Sequence, residues 1–86
     1  MYNMKKREFA YKIEYEVDKK SKKVTAVIPE LNHVSSFGDS FAEAEANVKE
    51  AALGYMETIM KEKAEMPKPS FHSEGTYIKI FAPTNA

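Results

Sequence analysis

Residues 38–49 read GDSFAEAEANVK, and this stretch decides the fold because it marks where the chain enters its one helix. Ser40 stands three residues before Glu43, which is the spacing of a capping box. In that motif the serine hydroxyl accepts from an orphan amide, and the glutamate reaches back to the N–H of the cap. The following residues are rich in Ala, Glu, Lys and Met, which are good helix formers. The pattern predicts a helix from the Ser40 cap to about residue 64.

The predicted helix has one apolar stripe and one polar face. Apolar side chains spaced three and four residues apart are expected to pack on a sheet: Phe41, Ala44, Val48, Ala51, Ala52, Tyr55 and Ile59. Glu45 and Lys49 lie off this stripe and should face solvent. Gly54 leaves two interpretations open. It weakens the helix interior by about 1 kcal/mol relative to alanine, or its small size lets a neighbouring element approach closely.

Residues 8–17 have the alternation of a half-buried β-strand. Aromatic and β-branched side chains occupy one face of this segment: Phe9, Tyr11, Ile13, Tyr15 and Val17. Glu14 and Glu16 share the opposite face with Lys12, so these glutamates are expected to point to solvent. A magnesium-dependent nuclease needs several carboxylates that converge from neighbouring elements. This strand therefore predicts a core element rather than a metal site.

Two more strands are predicted before the helix. Residues 18–22 form a polar turn, and residues 23–28 form a second strand, antiparallel to the first because the link is short. Pro29 should end that strand, since proline has no N–H to donate to a ladder. Residues 33–37 predict a short third strand, and Gly38 is expected to take a positive φ in the turn that follows.

The chain after the helix predicts one last strand. Residues 66–70 contain two prolines, which break the helix because the residue before each proline is pushed to extended φ/ψ. Residues 76–81 return to strand composition, and Pro83 is expected to close the strand. The order predicts a two-layer α+β fold, β-β-β-α-β, with an antiparallel sheet of three to four strands packed on one long helix. The first and last strands are expected to offer free edges.

Composition predicts one domain over residues 1–86, with an ordered core at about residues 8–82. Cysteine is absent and a core of this size is thin, so self-association into a homo-oligomer is expected. The 13 basic and 13 acidic side chains balance, which argues against a dedicated nucleic-acid-binding protein. No segment resembles a membrane span or a secretory signal, so we expect a cytoplasmic protein without membrane contact.

No catalytic, cofactor-binding or metal-binding pattern stands out in the sequence. His33 and His72 have no metal-ligand spacing around them, and the position of Ser35 beside His33 says nothing about hydrolytic geometry. Three widely separated glycines do not form a phosphate-binding loop. We therefore expect a binding protein that is not an enzyme and holds no cofactor or metal. An edge strand that accepts a partner strand is the favoured mode of binding.

The basic N-terminal residues leave an RNA partner open. Lys5, Lys6 and Arg7 interleave with Tyr2 and Phe9, and stacking combined with positive charge is a mode of RNA binding. A basic tail that leads into a core strand explains the same residues more simply. RNA is therefore the second candidate partner.

Four segments, in this order and spacing, resemble the HicB-like antitoxin family. They are residues 26–31 (AVIPEL), 38–44 (GDSFAEA), 47–51 (NVKEA) and 67–70 (PKPS), and the resemblance covers roughly residues 8–82. It implies a partial ribonuclease H-like fold without the nuclease carboxylates. It also implies dimers or tetramers that bind and occlude a HicA-type toxin, a small ribonuclease that cleaves mRNA.

This chain departs from the family pattern in two places. Many members have Pro-Gly after the leucine, where this chain has Asn32 and His33, so the positive φ of a glycine is not expected there. Many also carry a C-terminal DNA-binding domain, and this sequence ends soon after Phe81, so DNA binding is not expected.

The resulting interpretation is an antitoxin module whose toxin-facing surface is the sheet edge and nearby strands. Tyr11, Ile13 and Tyr15 would shape the sheet rather than act chemically. The resemblance assigns no individual partner-contacting residue, and Ser40 and Glu43 are structural. The alternative is a solitary oligomeric adaptor that binds another protein or RNA.

Overall fold

A computed structural model describes residues 5–69 and 74–84 and confirms the predicted α+β class. The elements in chain order are β1 (Lys5–Val17), β2 (Val24–Ile28), β3 (Val34–Gly38), α1 (Phe41–Lys61) and β4 (Thr76–Thr84). The four strands form one antiparallel sheet in the order β3-β2-β1-β4, and α1 packs on one face of it. The predicted order β-β-β-α-β is therefore correct.

Strand β1 lies between β2 and β4 in the sheet order, and each part of it is paired on one side only. Its first part, Lys5–Ile13, pairs with β4, and its last residues, Glu14–Val17, pair with β2. Thirteen residues are long enough for both partners because each partner uses a different part of the strand. The outer strands of the sheet are β3 and β4.

Strands β1 and β4 run further than the sequence predicts. β1 begins at Lys5 rather than at residue 8, and β4 continues to Thr84. The expectation that Pro83 closes the last strand is wrong, since Pro83 pairs with Lys6 inside β4. An edge strand tolerates proline when the nitrogen faces away from its neighbour.

The core lies between the sheet and α1. Phe9, Tyr11 and Ile13 of the predicted core face of β1 are buried, whereas Tyr15 is half-buried and Val17 at the end of the strand is 45% exposed. Five helix residues are buried: Ala44, Val48, Ala52, Met56 and Ile59. The predicted stripe is thus wrong at Phe41 and Ala51, which are exposed, and it omitted Met56. The burial repeats every four residues over most of the helix, so the buried face drifts away from Ala51 and the half-buried Tyr55.

The capping box at the start of α1 is confirmed, with one change. The Ser40 hydroxyl accepts from the N–H of Glu43 at 3.1 Å, as predicted. The Glu43 carboxylate, however, accepts from the N–H of Asp39 at 3.1 Å instead of from the cap itself. The Glu43 side chain thereby links the first turn of α1 to Asp39, the residue that follows β3.

The end of α1 comes at Lys61, three residues before the predicted end. Lys63 takes a left-handed conformation with φ 56°, its N–H donates to Met60, and the N–H of Ala64 donates to Ile59. These two bonds form a Schellman motif, which usually contains glycine at the position of Lys63. Gly54 is exposed, and a Cβ there would meet nothing within 4 Å, so the close-approach interpretation is wrong for the described residues.

The β2–β3 connection is a tight turn without glycine. Asn32 and His33 have φ of 51° and 55°, and the N–H of Val34 donates to the carbonyl of Leu31 at 3.1 Å. Two positive φ values between these hydrogen-bonded residues are characteristic of a type I′ turn. The expectation that replacing Pro-Gly removes the positive φ is therefore wrong, because Asn and His adopt it themselves.

Candidate partner-binding surface

Most of the exposed hydrophobic side chains lie at one end of the sheet. Within residues 5–69 and 74–84 four large hydrophobic residues are exposed: Val17, Phe37, Phe41 and Phe81. Val17 pairs with Val24, which in turn pairs with Gly38, and Phe37 and Phe41 flank that glycine in sequence. Single exposed hydrophobic residues need no explanation, whereas several at one end of a sheet are a candidate interaction surface. Tyr15 and Phe41 lie on the helix side of this end, and Phe37 lies on the helix-free side. We call Tyr15, Val17, Phe37 and Phe41 the sheet-end patch.

Gly38 lets the end of β3 lie close to the first turn of α1. Its φ is not positive, which corrects the expectation of a left-handed turn residue. A Cβ at Gly38 would lie 2.7 Å from the backbone nitrogen of Ala44 and 2.8 Å from the Glu43 side chain. The absence of a side chain therefore lets the first turn of α1 sit directly against the end of β3. Sequence reasoning noted this glycine but assigned it the wrong role.

Tyr15 and Phe41 form the helix side of the patch. Their rings meet edge to face with centroids 5.2 Å apart. The Tyr15 hydroxyl donates to the Glu45 carboxylate at 3.3 Å. Partial burial, followed by the negative charge of Glu45 and this hydrogen bond, raises the pKa of the Tyr15 phenol. The phenol thus stays protonated at neutral pH and holds the carboxylate beside an aromatic pair.

Phe37 forms the opposite, helix-free side of the patch and is 60% exposed. The ammonium of Lys23 lies 5.5 Å from its ring centroid and also pairs with Asp39 at 3.5 Å. The Asn47 side chain donates to the Phe37 carbonyl at 2.9 Å. Asn47 therefore holds the backbone of Phe37, Lys23 lies over one face of the ring, and the ring remains largely open to solvent.

The charges near the patch are segregated. The helix that borders it carries four glutamates and two lysines, and all four glutamates are exposed. The β1–β2 turn beside it is basic, with Lys19, Lys20 and Lys22 exposed. In that turn the Asp18 carboxylate accepts from the N–H groups of Ser21 and Lys20, which lowers the pKa of the carboxyl. The patch is therefore flanked by an acidic face and a basic turn.

A groove lies where the chain leaves α1. It has a volume of about 470 Å³ and lies between β1, at Arg7 and Phe9, and residues 65–69. The Tyr11 hydroxyl donates to the carbonyl of Pro67 at 2.7 Å and so ties the exit segment to the sheet. Burial and the negative charge of Glu30, opposed by Arg7, raise the pKa of Tyr11 to about 12. Tyr11 is thus a structural residue, as the sequence indicates.

Within residues 5–69 and 74–84, the side chains that the sequence analysis considered for hydrolysis or metal binding are not brought together. Glu14 and Glu16 are exposed on the helix-free face, as predicted. In the described ranges no group of three or more His, Asp or Glu side chains is placed to hold a metal ion. His33 lies in the β2–β3 turn and is exposed, and no hydrogen bond is recorded between His33 and Ser35 in that part of the chain. His72, together with Tyr2 of the N-terminal basic pattern, lies outside the described residues.

Comparison with known families decides the assignment. The profile of the HicB-like antitoxins of bacterial toxin–antitoxin systems matches residues 11–77. The chain belongs to the HicB-like antitoxin family. All four segments of this HicB-like chain that resemble the family lie inside the matched range: residues 26–31, 38–44, 47–51 and 67–70.

A solved structure supports the fold of this HicB-like chain. It is similar to the crystal structure of the N-terminal domain of the Burkholderia pseudomallei antitoxin HicB, with a TM-score of 0.64 and 20% identity. The similarity covers 86% of this chain and 95% of that domain. No curated protein matches the sequence. Within the described residues, no helix is long and apolar enough to cross a membrane.

Proposed function

We propose that this HicB-like chain neutralises a HicA-type toxin, an mRNA-cleaving ribonuclease, by binding it through the sheet-end patch and occluding its active site. The observation that carries the proposal is the clustering of three of the four exposed large hydrophobic residues at one end of the sheet. The patch includes β3, an outer strand, so it refines the expectation that the sheet edge and nearby strands face the toxin. We place the action in the cytoplasm, where mRNA is cleaved, with the chain as a homo-oligomer.

The chemistry of the patch fits a basic partner. An enzyme that binds RNA must attract a polyanion, so its RNA-binding surface carries lysine and arginine. Glu45, held by Tyr15 beside the Phe41 ring, offers such a cation both a carboxylate and an aromatic edge. Cations bind well where a ring and a carboxylate combine, and complementary charge orients the encounter. Phe41 would supply the apolar anchor that a stable interface needs.

Co-expression with the toxin encoded beside this gene tests the proposal. Wild-type chain should restore growth to cells that express the toxin. Phe41→Ser should abolish the rescue, because it removes the aromatic anchor from the patch. Phe81→Ser is the control for loss of an equally exposed aromatic ring outside the patch, since both phenylalanines are 54% exposed. Failure of the wild-type chain to rescue, or equal rescue by both variants, would reject the proposed role or the proposed surface respectively.

The basic β1–β2 turn supports a second candidate function, an adaptor that binds RNA. Lys19, Lys20 and Lys22 are exposed together on a short turn. Phosphate binding by these lysines would weaken steeply with rising salt. Replacing the three lysines with glutamine should reduce the slope of affinity against salt. Binding that is absent or independent of salt would exclude this function.

A further inference from the structure

We propose that two copies of this chain associate through the outer edge of β4, strand against strand. The inference deepens the self-association part of the proposed function, because it names the surface and the register. It rests on the direction of backbone groups along the outer strands, on what covers each strand, and on the symmetry of β4 itself.

Pro83 shows which backbone N–H and C=O groups of β4 face away from β1. It pairs with Lys6 in the β1–β4 ladder but has no N–H to donate. Its nitrogen must therefore face away from β1, since a proline inside a ladder lacks the donor. Backbone direction alternates along a strand, so the N–H and C=O of Lys79 and Phe81 also point outward.

An independent contact at the far side of the sheet supports this assignment. The same alternation can be followed from β4 through β1 and β2 to β3 by using the three pairing registers. It predicts that the carbonyl of Phe37 points away from β2. The structure shows that carbonyl turned away from β2 and accepting from the Asn47 side chain at 2.9 Å. The alternation inferred from Pro83 is therefore consistent over all four strands.

The two outer strands differ in how they are protected. Exposed edges invite pairing with other chains, and proteins blunt them by covering them. The edge of β3 lies against α1, and Asn47 occupies an outward carbonyl there. In the described part of the chain, no hydrogen bond is recorded at the outward backbone groups of Lys79 and Phe81. Beside this edge lies Phe81, 54% exposed on the helix-free face. Of the two outer strands, β4 is thus the one whose edge is open to a partner strand.

The sequence of β4 is complementary to itself in an antiparallel register centred on Ile80. Ile80 is the midpoint of Thr76–Thr84, so a two-fold axis at Ile80 overlaps the whole strand. In that register Lys79 of one copy lies opposite Phe81 of the other, twice by symmetry. These are the residues with outward backbone groups, so both pairs can exchange N–H···O bonds. The lysine also meets an aromatic ring, which is a favourable cross-strand neighbour.

The alternative centre at Lys79 is less favourable. It would place the two Lys79 side chains opposite each other, and like charges at directly opposed positions destabilise a strand pair. It would also shorten the overlap by leaving the last residues of β4 unpaired. The Ile80-centred register avoids both costs, and it places both helices on the same face of a continuous sheet.

Proline scanning of the two outer strands tests the proposal. Lys79→Pro removes an outward N–H and should leave the β1–β4 ladder intact, so it should give a monomer with unchanged circular dichroism. Ser35→Pro is the matched control, because by the same alternation it removes an outward N–H from β3. Sedimentation equilibrium up to about 1 mM should show a dimer for the wild type and the control, with dissociation in the micromolar range because a strand pair is a small interface.

A second variant keeps the test decisive if Lys79→Pro does not fold. Phe81→Lys places two lysines opposite each other at each symmetric pair and should weaken the dimer by roughly tenfold. A wild-type chain that stays monomeric would overturn self-association. A dimer that survives both substitutions at β4 would overturn the surface. Neither outcome affects the growth-rescue experiment with the wild-type chain and Phe41→Ser. Failure of the dimer proposal and failure of the toxin-binding proposal are therefore distinguishable.

Discussion

Asn32 and His33 show how a turn can form without the glycine that its geometry favours. Both residues lie in the left-handed region, which glycine enters without the cost that a Cβ imposes. Asn-Gly is the preferred pair for a type I′ turn, so His33 is the costlier of the two positions. The local strain is tolerated because Leu31 on one side is buried and the strands on either side are paired.

His33→Gly should therefore stabilise the protein by about 0.5–1 kcal/mol. Glycine removes the strain of a histidine in the left-handed region, which stabilises the folded state. The larger conformational entropy of glycine in the unfolded chain offsets part of this gain. Urea denaturation measures the free energy of unfolding. His33→Ala serves as the control, because alanine retains the Cβ and should give no gain. Equal stability of His33→Gly and His33→Ala would contradict the account of this turn.

Tyr11 should make the protein sensitive to alkaline pH. Its pKa is about 12 in the folded chain and 10.0 when unperturbed, so the folded state retains a proton that the unfolded state loses. The contribution is complete below pH 10 and is lost as pH rises toward 12. Tyr11→Phe should give a shallower fall in unfolding free energy across that window, measured by urea denaturation at several pH values. An identical fall in the variant would show that Tyr11 titrates normally.

At the scale of the element, the start of α1 is the best-determined feature. Ser40→Ala removes the hydroxyl that accepts from Glu43 and should cost about 1 kcal/mol of folding stability. Ser40→Asp, which retains a good cap, should cost much less. The difference in melting temperature between the two variants measures the cap. An Ser40→Ala protein with an unchanged melting curve would place the beginning of the helix elsewhere.

Local patterns in the sequence predict the elements well because they depend on near neighbours. The alternation in β1, the cap at Ser40 and the proline after β2 each act over a few residues, and each is confirmed. The end of α1 was predicted three residues too late, since Lys63 in the glycine position of a Schellman motif gives no sequence signal. Met56 was omitted because the helix stripe is wide and the exact buried face depends on the sheet beneath it.

At the scale of the whole molecule, the order of the strands could not be read from the sequence. The position of β1 between β2 and β4 follows from which half of a thirteen-residue strand each partner uses, and that is a long-range choice. The sheet-end patch was missed for the same reason. Phe41 fits the apolar stripe of the helix, and only the placement of α1 over the end of β3 shows that its ring remains 54% exposed.

The sheet-end patch and the outer edge of β4 would have separate roles. The patch at Phe41 would bind the toxin, and the edge of β4 near Phe81 would join two copies. The surfaces lie on different strands, so one can be disrupted while the other remains intact. Phe41→Ser should yield a dimer that does not bind toxin. Phe81→Ser should yield a weakened dimer whose individual chains still bind toxin. The pair of variants therefore separates the two activities.

The most direct measurement of the central claim is affinity purification of the tagged chain from its native cell, followed by an RNA-cleavage assay on the protein that co-elutes. The account predicts that the wild type and Phe81→Ser each retain a small basic protein, that Phe41→Ser does not, and that this protein cleaves mRNA once it is separated from the chain. Recovery of the chain with no other protein, or with a protein that leaves mRNA intact, would contradict the claim that it is the antitoxin of a ribonuclease.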